Sequence, residues 1–436
     1  MPSSSQVPPA SVANSPVTIL NQYYVPDMAS TGHLLHELAE GLVELGFDVT
    51  VLTGRPSYGP RETWQKVRLR EIRDHVRVNR IMSTRFSKDR LLGRLLNSAT
   101  FLIPLTLRVL FTSRENSSYL YTTNPPFLGI VGAMVSLVRR HRYVLLLHDA
   151  YPEMAVWVGK IRAGGFIERL WHSLNRFTYR RAQQTIVLCD AAKKLVCDTY
   201  GIDPQRVHPI ANWADGEELK PKPKAQSAFA LKHGLVGPFT VLYSGNLGLY
   251  YEFETMLDAA ERLLNENFRL VFIGAGGRRD WIAEQIAKRK LTNTLLLPYQ
   301  PREVLPDSLT ACDAALATIA KGIEGISFPS KFYTSLAVGR PILALAEPHS
   351  ELRRVVEQGD VGTWFCVGDP DGLADGIRAM MLDRERMERQ GCNARRLFEN
   401  HYTRHHAARQ YAEVLLMATG RPTPAEIAGS LQTGRA

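Results

Sequence analysis

The chain has 436 residues, of which 45% are hydrophobic and 22% are charged. With 32 glycines and 25 prolines, this composition excludes collagen-like, low-complexity and wholly disordered chains. The length predicts two domains, each large enough to bury its own core. The five cysteines never form a Cys-x-x-Cys pair, which indicates a reducing compartment and no zinc site.

Residues 1–16 are rich in serine and proline. They contain neither the basic start nor the apolar stretch of a secretory signal, so we expect a disordered tail and a cytoplasmic protein.

Short apolar runs that end in Gly, Asn, Asp or Pro recur along the chain, and a helical pattern follows most of them. Near-continuous apolar runs are typical of parallel strands that are buried on both faces. Their alternation with helices predicts an α/β architecture. The predicted strands are 17–20, 47–53, 119–123, 143–149, 184–190, 239–245, 269–276, 293–299, 314–318 and 341–346.

The first predicted helix covers residues 30–46, with Ser30 or Thr31 as its cap and Gly46 at its end. The strand–turn–helix pattern begins again at residue 239, which indicates two Rossmann-like units in tandem. The polar stretch 207–227 between them is the predicted boundary. The expected domains are therefore the tail 1–16, a first domain 17–214, a second domain 215–395, and a helix in 396–436 that packs back toward the first domain before a final tail.

Positive charge is concentrated in one segment. Between Arg61 and Arg114 there are thirteen Lys or Arg and four acidic residues. The net charge of this segment, +9, is almost the whole net charge of the chain, +10. Residues 87–111 mix these cations with Leu, Ile and Phe, which fits either an interfacial helix on anionic lipid or a core helix of the first domain. No nucleic-acid-binding motif is found. The expected membrane contacts are Arg85, Lys88, Arg90, Leu91, Arg94 and Leu95.

The uncharged run Leu95–Leu107 has thirteen residues and contains Pro104. A membrane-spanning helix needs about 20 apolar residues, so we expect no span here.

Four places in the chain combine chemistry-bearing residues with a strand end or a helix start. The turns 27–34 and 243–248 lie between a strand and a helix, where backbone N–H groups can bind an anion, although each can also be a plain connection. Lys331 begins a predicted helix and is either a phosphate-binding cation or a solvated lysine. His148 and Asp149 end a strand, where open α/β sheets bind ligands, but a histidine there is often structural.

Taken in order, several motifs resemble those of the family-4 retaining glycosyltransferases of the GT-B fold. They are ASTGH, LLLHD, YSGNLG, VFIGAGG, the segment 295–317, and Glu324 with FPSKFYTSLAVGRPILA. The similarity runs from about residue 17 to about residue 411, and it is strongest to the exopolysaccharide and O-antigen (colanic-acid-type) enzymes. The resemblance implies two Rossmann-like domains facing across a cleft.

The same resemblance implies roles for individual residues. His148 and Glu324 would contact the transferred sugar, and Lys331 would neutralise the leaving diphosphate. The implied donor-binding residues are Gly32, Gly245, Asn246, Gly274, Tyr299, Gly325, Ser330 and Thr334. The implied acceptor-side residues are Tyr24, Asp27 and Asp149.

Two departures from the family pattern stand out. Thr334 occupies the place of the second glutamate of the family's signature, and residues 249–251 are Leu-Tyr-Tyr where a cation is common. An Asp-x-Asp occurs at Asp369 and Asp371, but its Pro370 is typical of a helix start rather than a metal site. We therefore predict catalysis without a metal.

The implied reaction transfers a sugar, with retention, from a UDP- or GDP-linked donor to a lipid-linked saccharide at the anionic inner face of the cell membrane, with no cofactor. A non-catalytic scaffold subunit and a nucleotide-sugar epimerase are the alternatives.

Overall fold

The computed structural model describes residues 14–27, 29–58, 61–86 and 91–421. They divide into two compact units. The first contains the described residues up to Val156, Ile161–Ile210, and those from Arg404 onward; the second contains Trp157–Lys160 and Ala211–Thr403. The change from Ile210 to Ala211 falls four residues before the expected boundary between residues 214 and 215. Most of the predicted tail 1–16 lies outside the described residues, whereas Pro16 already belongs to a strand.

The first unit is built on one eight-stranded sheet with the order β3-β4-β2-β1-β5-β6-β7-β8. All neighbouring strands are parallel except β3 and β4. The strands are β1 (Pro16–Leu20), β2 (Asp48–Gly54), β3 (Arg70–Arg73), β4 (Val76–Ile81), β5 (Ser118–Thr122), β6 (Tyr143–Leu147), β7 (Gln184–Val187) and β8 (Val207–Pro209).

Six helices connect these strands: α1 (Ser30–Glu44), α2 (Leu91–Thr112), α3 (Leu128–Val138), α4 (Glu153–Trp157), α5 (Phe166–Arg181) and α6 (Asp190–Tyr200). Every residue of β5 and β6 is buried, as expected for a parallel sheet with helices on both faces.

The second unit has a six-stranded parallel sheet with the order β11-β10-β9-β12-β13-β14. Its strands are β9 (Phe239–Ser244), β10 (Phe268–Ile273), β11 (Thr294–Leu297), β12 (Ala314–Thr318), β13 (Ile342–Ala346) and β14 (Gly362–Cys366). Its helices are α7 (Ala228–Lys232), α8 (Glu254–Arg262), α9 (Arg279–Lys288), α10 (Leu305–Leu309), α11 (Lys331–Ala337), α12 (Glu351–Gln358), α13 (Pro370–Leu382) and α14 (Arg384–His401).

The last described helix, α15 (Arg404–Thr419), belongs to the first unit. Arg404 forms ion pairs with Glu40 at 3.1 Å and Glu44 at 2.7 Å, and Ser118 Oγ donates a hydrogen bond to the Leu415 carbonyl. The second unit therefore extends to Thr403 rather than to residue 395. Residues 422–436, the expected final tail, lie outside the described residues.

Each sheet reverses its strand order beside its first strand, between β1 and β5 in one unit and between β9 and β12 in the other. Ligands of open α/β sheets bind in the crevice outside the carboxyl ends of the strands at such a reversal. The loops after β1, β6, β9, β10 and β12 therefore occupy the two edges where a site is expected.

Two features of the first unit differ from the sequence predictions. The hairpin β3–β4 was not predicted, because its strands are rich in charge; Asp74 and His75 turn it with φ angles of 50° and 64°, the pair of left-handed residues that a tight hairpin needs. The N-cap of α1 is Ala29, which makes no side-chain capping bond, so the predicted Ser30 or Thr31 cap was wrong.

Helix α2 lies within the predicted helical segment 87–111 except for its last residue, and it continues through Pro104 and Arg108. Its segment Leu95–Thr112 is long and apolar enough to cross a membrane by length and composition, so the exclusion of a span on length was wrong. A core helix meets the same criteria, and Phe101, Leu105 and Val109 are buried in the core of the first unit.

The opposite side of α2 remains apolar but exposed. Its outward side chains, with exposures from 41% to 76%, are Leu92, Leu95, Leu96, Ile103, Leu107 and Phe111. The core-helix interpretation therefore describes one side of α2, and contact of the other side with anionic lipid stays a prediction.

Candidate functional site

In the second unit, the loops after β9 and β10 pack backbone against backbone. Gly245 N donates a hydrogen bond to the Ile273 carbonyl at 2.8 Å, and Gly245 and Gly274 have φ angles of 140° and 150°. A Cβ on Gly274 would lie 1.9 Å from the Gly245 oxygen. Only glycine fits both the backbone conformation and the space, so the two predicted donor-binding glycines form one bare backbone surface.

The side chain of Lys331 lies over this surface. Its Cε is 2.7 Å from the position of a Cβ on Gly245, so the glycine makes room for the lysine. Lys331 is the first residue of α11 and is only 8% exposed. The structure thus brings together Gly245, Gly274 and Lys331, which the sequence placed at three separate motifs.

Two tyrosine rings hold the Lys331 ammonium. Nζ lies 3.8 Å from the ring centre of Tyr251 and 4.6 Å from that of Tyr243, which are cation–π distances. Among the described residues no carboxylate forms an ion pair with Lys331. Burial lowers its pKa to about 7, so the ammonium and the free amine are both populated near neutral pH.

An anion next to Nζ would restore the charged form of this lysine. The site therefore combines what a phosphate group needs: a cation without a counter-charge, and a strand end where backbone approaches closely. The sequence missed the two tyrosines as parts of the site. The available signal was that residues 249–251 are aromatic where a cation is common.

Glu324 follows β12 and is half-buried. Its Oε1 accepts a hydrogen bond of 2.9 Å from the backbone N–H of Glu351, the first residue of α12. Burial raises the pKa of Glu324, while this hydrogen bond acts in the opposite direction. Its Oε2 has no hydrogen-bond partner among the described residues, so one carboxylate oxygen is structural and the other is available to a ligand.

The other predicted donor-binding residues of this unit lie at or near the same edge of the sheet. Asn246 is exposed beside Gly245, and Tyr299 is 56% exposed after β11. Ser330 is exposed before α11, Thr334 Oγ1 donates a hydrogen bond of 3.0 Å to the Lys331 carbonyl, and Gly325 has a φ of 75°. Their roles in binding stay predictions.

In the first unit, His148 directly follows β6. Burial lowers its pKa to about 4, so the imidazole is neutral at physiological pH. Its Nε2 is buried without a hydrogen-bond partner among the described residues. An unsatisfied polar atom of this kind needs an explanation, and a ligand hydroxyl would provide one. Asp149, which follows, is partly buried.

The remaining predicted residues of the first unit have structural partners. The Asp27 carboxylate accepts hydrogen bonds from the backbone N–H groups of Ser57 at 2.8 Å and Tyr58 at 3.1 Å. The Tyr24 hydroxyl lies 3.0 Å from His36 Nδ1. A Cβ on Gly32 would be 3.2 Å from the Tyr24 backbone, so this glycine lets α1 approach the loop after β1. Contacts of these residues with an acceptor or donor stay predictions.

Acidic clusters of the described residues have partners within the protein. Asp369 caps α13 by accepting a hydrogen bond from Gly372 N at 2.9 Å, and Asp371 pairs with Arg262, as the helix-start interpretation predicts. His36, Glu40 and Asp74 have ligand atoms within 4.8 Å of one another, but Glu40 is already paired with Arg404.

Arg85 is the one basic side chain of the expected membrane contacts that belongs to the described part of the chain. Arg85 donates a hydrogen bond of 3.2 Å to the Pro56 carbonyl and stacks on Trp64, so it is held against the protein. Leu95 is 55% exposed. Lys88 and Arg90 lie outside the described residues, as do the side chains of Leu91 and Arg94.

Comparison with known proteins gives matches in both units. A glycosyl transferase 4-like domain matches residues 31–213, and the glycosyl transferases group 1 family matches residues 229–397. The chain is 30% identical over 295 residues to the probable glycosyltransferase WbjE of Pseudomonas aeruginosa, covering 66% of this chain and 72% of that protein.

Two further relatives cover more of the chain. The putative colanic acid biosynthesis glycosyl transferase WcaI of Escherichia coli K12 is 24% identical over 372 residues, which are 82% of this chain and 90% of WcaI. The crystal structure of Anabaena HepE in complex with UDP superimposes with a TM-score of 0.68 at 19% identity, covering 92% of this chain and 99% of HepE. At that identity the likeness concerns the fold.

Proposed function

The chain belongs to the glycosyltransferases of the GT-B fold, and we propose that it transfers a sugar from a nucleotide-diphosphate sugar to a lipid-linked saccharide with retention of the anomeric configuration. The observation that carries this proposal is the buried Lys331 ammonium over Gly245, which has no ion-pair partner among the described residues. UDP in the related HepE structures supports UDP as the nucleotide, with GDP as the other candidate. The name of WcaI supports a role in cell-surface polysaccharide synthesis.

In this reaction the bond between the sugar C1 and the diphosphate oxygen breaks, and a bond from C1 to the acceptor oxygen forms. The acceptor proton passes to the departing phosphate oxygen, on the face from which the diphosphate leaves. Negative charge develops on the diphosphate in the transition state, and a cation fixed next to it lowers the barrier. Lys331 supplies this cation, so the proposal includes no metal ion and no other cofactor.

Two side chains are proposed to orient the transferred sugar. Glu324 Oε2 accepts a hydrogen bond from a sugar hydroxyl, while Oε1 stays fixed by Glu351 N. The neutral imidazole of His148 bonds a second hydroxyl without adding charge. Such fixed hydrogen bonds position the reacting carbon and shield it from water.

The acceptor and the membrane follow from the same proposal. A lipid-linked saccharide requires peripheral contact with the inner face of the cell membrane, and the exposed apolar side of α2 supplies a surface for it.

The decisive experiment measures nucleotide release from UDP- and GDP-linked sugars, with and without a lipid-linked saccharide, in the presence of EDTA. We expect release that depends on the acceptor and a product that keeps the donor's anomeric configuration by NMR. Lys331→Met abolishes it, and Lys288→Met, an exposed lysine of α9, does not. Isomerised donor without acceptor would instead indicate an epimerase. Turnover that appears only when Mg²⁺ or Mn²⁺ replaces EDTA would indicate a metal-dependent transferase, and no turnover with any donor under either condition would indicate a scaffold subunit.

A further inference from the structure

An arginine-lined cavity of about 520 Å³ opens at the amino end of the sheet of the first unit. It lies between the end of α3, the start of β6 and the end of α5. Its lining residues are Ser136, Arg139, Arg140, His141, Arg142, Arg180, Arg181 and Gln183. Five guanidinium groups and no carboxylate line this cavity.

The positive charge of the cavity is left almost uncompensated by the described residues. Arg140 pairs with Glu115 at 3.6 Å, but both side chains are more than 60% exposed, so this pair is weak. Arg139 and Arg142 donate to the carbonyls of Ser113 and Thr419, which are neutral partners.

The remaining lining groups add no negative charge. Arg181 stacks on the Phe177 ring at 4.9 Å, and the Arg180 side chain has no acceptor among the described residues. His141 adds no charge either, because burial lowers its pKa to about 4. The cavity is therefore a concentrated positive site with donors suited to phosphate oxygens.

Exposed apolar side chains lie close in the sequence to residues that line this cavity or bond to its lining. Leu137 and Val138, at the end of α3 just before Arg139, are 56% and 69% exposed. Phe111, near the end of α2, is 76% exposed, and Ser113 beyond it accepts the bond from Arg139. Exposed apolar side chains do not help to bind a soluble anion. At the surface of a bilayer they can enter the membrane interface next to the bound phosphate groups.

We propose that the cavity binds the phosphate groups of anionic membrane lipids while Leu137, Val138 and Phe111 enter the interface. This inference rests on the proposed action upon a lipid-linked acceptor. The sequence placed the basic membrane contact near the start of α2, where Arg85 is held by Trp64 and Pro56. The proposed contact lies instead at the opposite end of that helix. Arginines near an anionic surface are attracted to it electrostatically, and added salt weakens this attraction.

The test is sedimentation of the full chain with vesicles of phosphatidylcholine alone and of phosphatidylcholine mixed with phosphatidylglycerol. The triple variant Arg139→Gln, Arg140→Gln, Arg180→Gln changes exposed side chains only. We expect it to lose at least tenfold in affinity for the anionic vesicles, and the corresponding triple lysine variant to retain most of it. The matched control Lys232→Gln, Lys288→Gln, Arg396→Gln removes the same charge from exposed positions of the second unit and binds as the unchanged protein does.

Three outcomes would overturn the proposal. They are equal loss in the control triple variant, no loss in the arginine triple variant, and release of the protein from vesicles by inorganic phosphate or by a short RNA at the concentration of the lipid phosphate. Titration with UDP separates this inference from the proposed function. If the arginine triple variant binds UDP with unchanged affinity, the proposed donor site is supported whatever the vesicle experiment shows. Vesicle binding alone decides whether the cavity binds lipid.

Discussion

The side chain of Lys331 occupies the space where Gly245 lacks a Cβ, with Lys331 Cε 2.7 Å from the position that this atom would take. The two residues are 86 positions apart in the sequence, and each has a property that is unfavourable alone: a left-handed backbone in one and a buried cation in the other. Together they form a bare backbone surface covered by a positive charge.

Gly245→Ala should weaken donor binding and destabilise the second unit. The φ of 140° is strained for any residue with a Cβ, and the new methyl group displaces Lys331. We expect a loss of about 1–3 kcal/mol in the free energy of unfolding and at least a tenfold loss in UDP affinity. Gly237→Ala is the control, because a Cβ there meets nothing within 4 Å. Equal effects of the two substitutions in denaturant unfolding and UDP titration would contradict the account.

The affinity for UDP should fall as the pH rises above 7. Only the protonated form of Lys331 attracts the diphosphate, and its pKa in the free protein is about 7. Bound phosphate raises that pKa, so protons are taken up on binding and the affinity decreases by up to about tenfold per pH unit. Calorimetric titrations between pH 7 and 9 measure this slope. In Lys331→Met the affinity should be low and nearly independent of pH; a flat profile in the unchanged protein would exclude Lys331 as the titrating group.

Tyr251→Leu should shift this pH dependence to lower pH. The ring centre of Tyr251 is 3.8 Å from Lys331 Nζ, and a cation–π contact of this kind stabilises the ammonium by about 0.5–2 kcal/mol. Loss of the ring makes the lysine easier to deprotonate, whereas Tyr251→Phe keeps the ring and should keep the profile. If the phenylalanine variant behaves like the leucine variant, the hydroxyl and not the ring is what matters.

Glu324→Ala and Glu324→Gln should distinguish the structural role of one carboxylate oxygen from the catalytic role of the other. Alanine removes the acceptor for Glu351 N at the start of α12, which should lower the free energy of unfolding by about 1 kcal/mol. Glutamine keeps an acceptor oxygen and should unfold near the unchanged protein. Both should lose sugar transfer by at least a hundredfold. Full turnover in the glutamine variant would show that the negative charge is not required.

The pH profile of sugar transfer should contain no step from His148 between pH 5.5 and 9. Burial lowers the pKa of this imidazole to about 4, so it stays neutral throughout that range. His148→Gln, which can still form a hydrogen bond, should keep more activity than His148→Leu. An acid limb near pH 6.5 that disappears in His148→Gln would show that the histidine titrates during catalysis.

Sequence patterning identified the buried strands because their residues are apolar throughout. Residues of β12 and β13 are all buried, and no polar alternation obscures them. Strands β3 and β4 were missed because charged or polar residues interrupt the apolar pattern of both, with β3 at the edge of the sheet and β4 next to it. A membrane span was excluded on length because the uncharged run ends before Arg108, whereas the apolar helix continues to Thr112.

The sequence predicted the separate motifs of the candidate site, but not the contact of Lys331 with the glycine loops. Glycines after strands and a lysine at a helix start are visible in the sequence, but their approach depends on how β9, β10 and α11 pack. The tyrosine rings around Lys331 could not be distinguished from core aromatic residues, because Tyr243 is fully buried in the same cluster as Phe253 and Phe272. The partners of Arg85 could not be predicted either, because Trp64 and Pro56 are remote from it in the sequence.

The most direct test of the central claim, that Lys331 binds the donor diphosphate, is calorimetric titration with UDP and with uridine in EDTA, repeated with GDP and guanosine. The difference in affinity between nucleotide and nucleoside isolates the phosphate contribution. We predict that one of the two nucleotides binds at least a hundredfold more tightly than its nucleoside, that Lys331→Met reduces this ratio at least tenfold, and that Lys288→Met leaves it unchanged. An unchanged ratio in Lys331→Met would contradict the account.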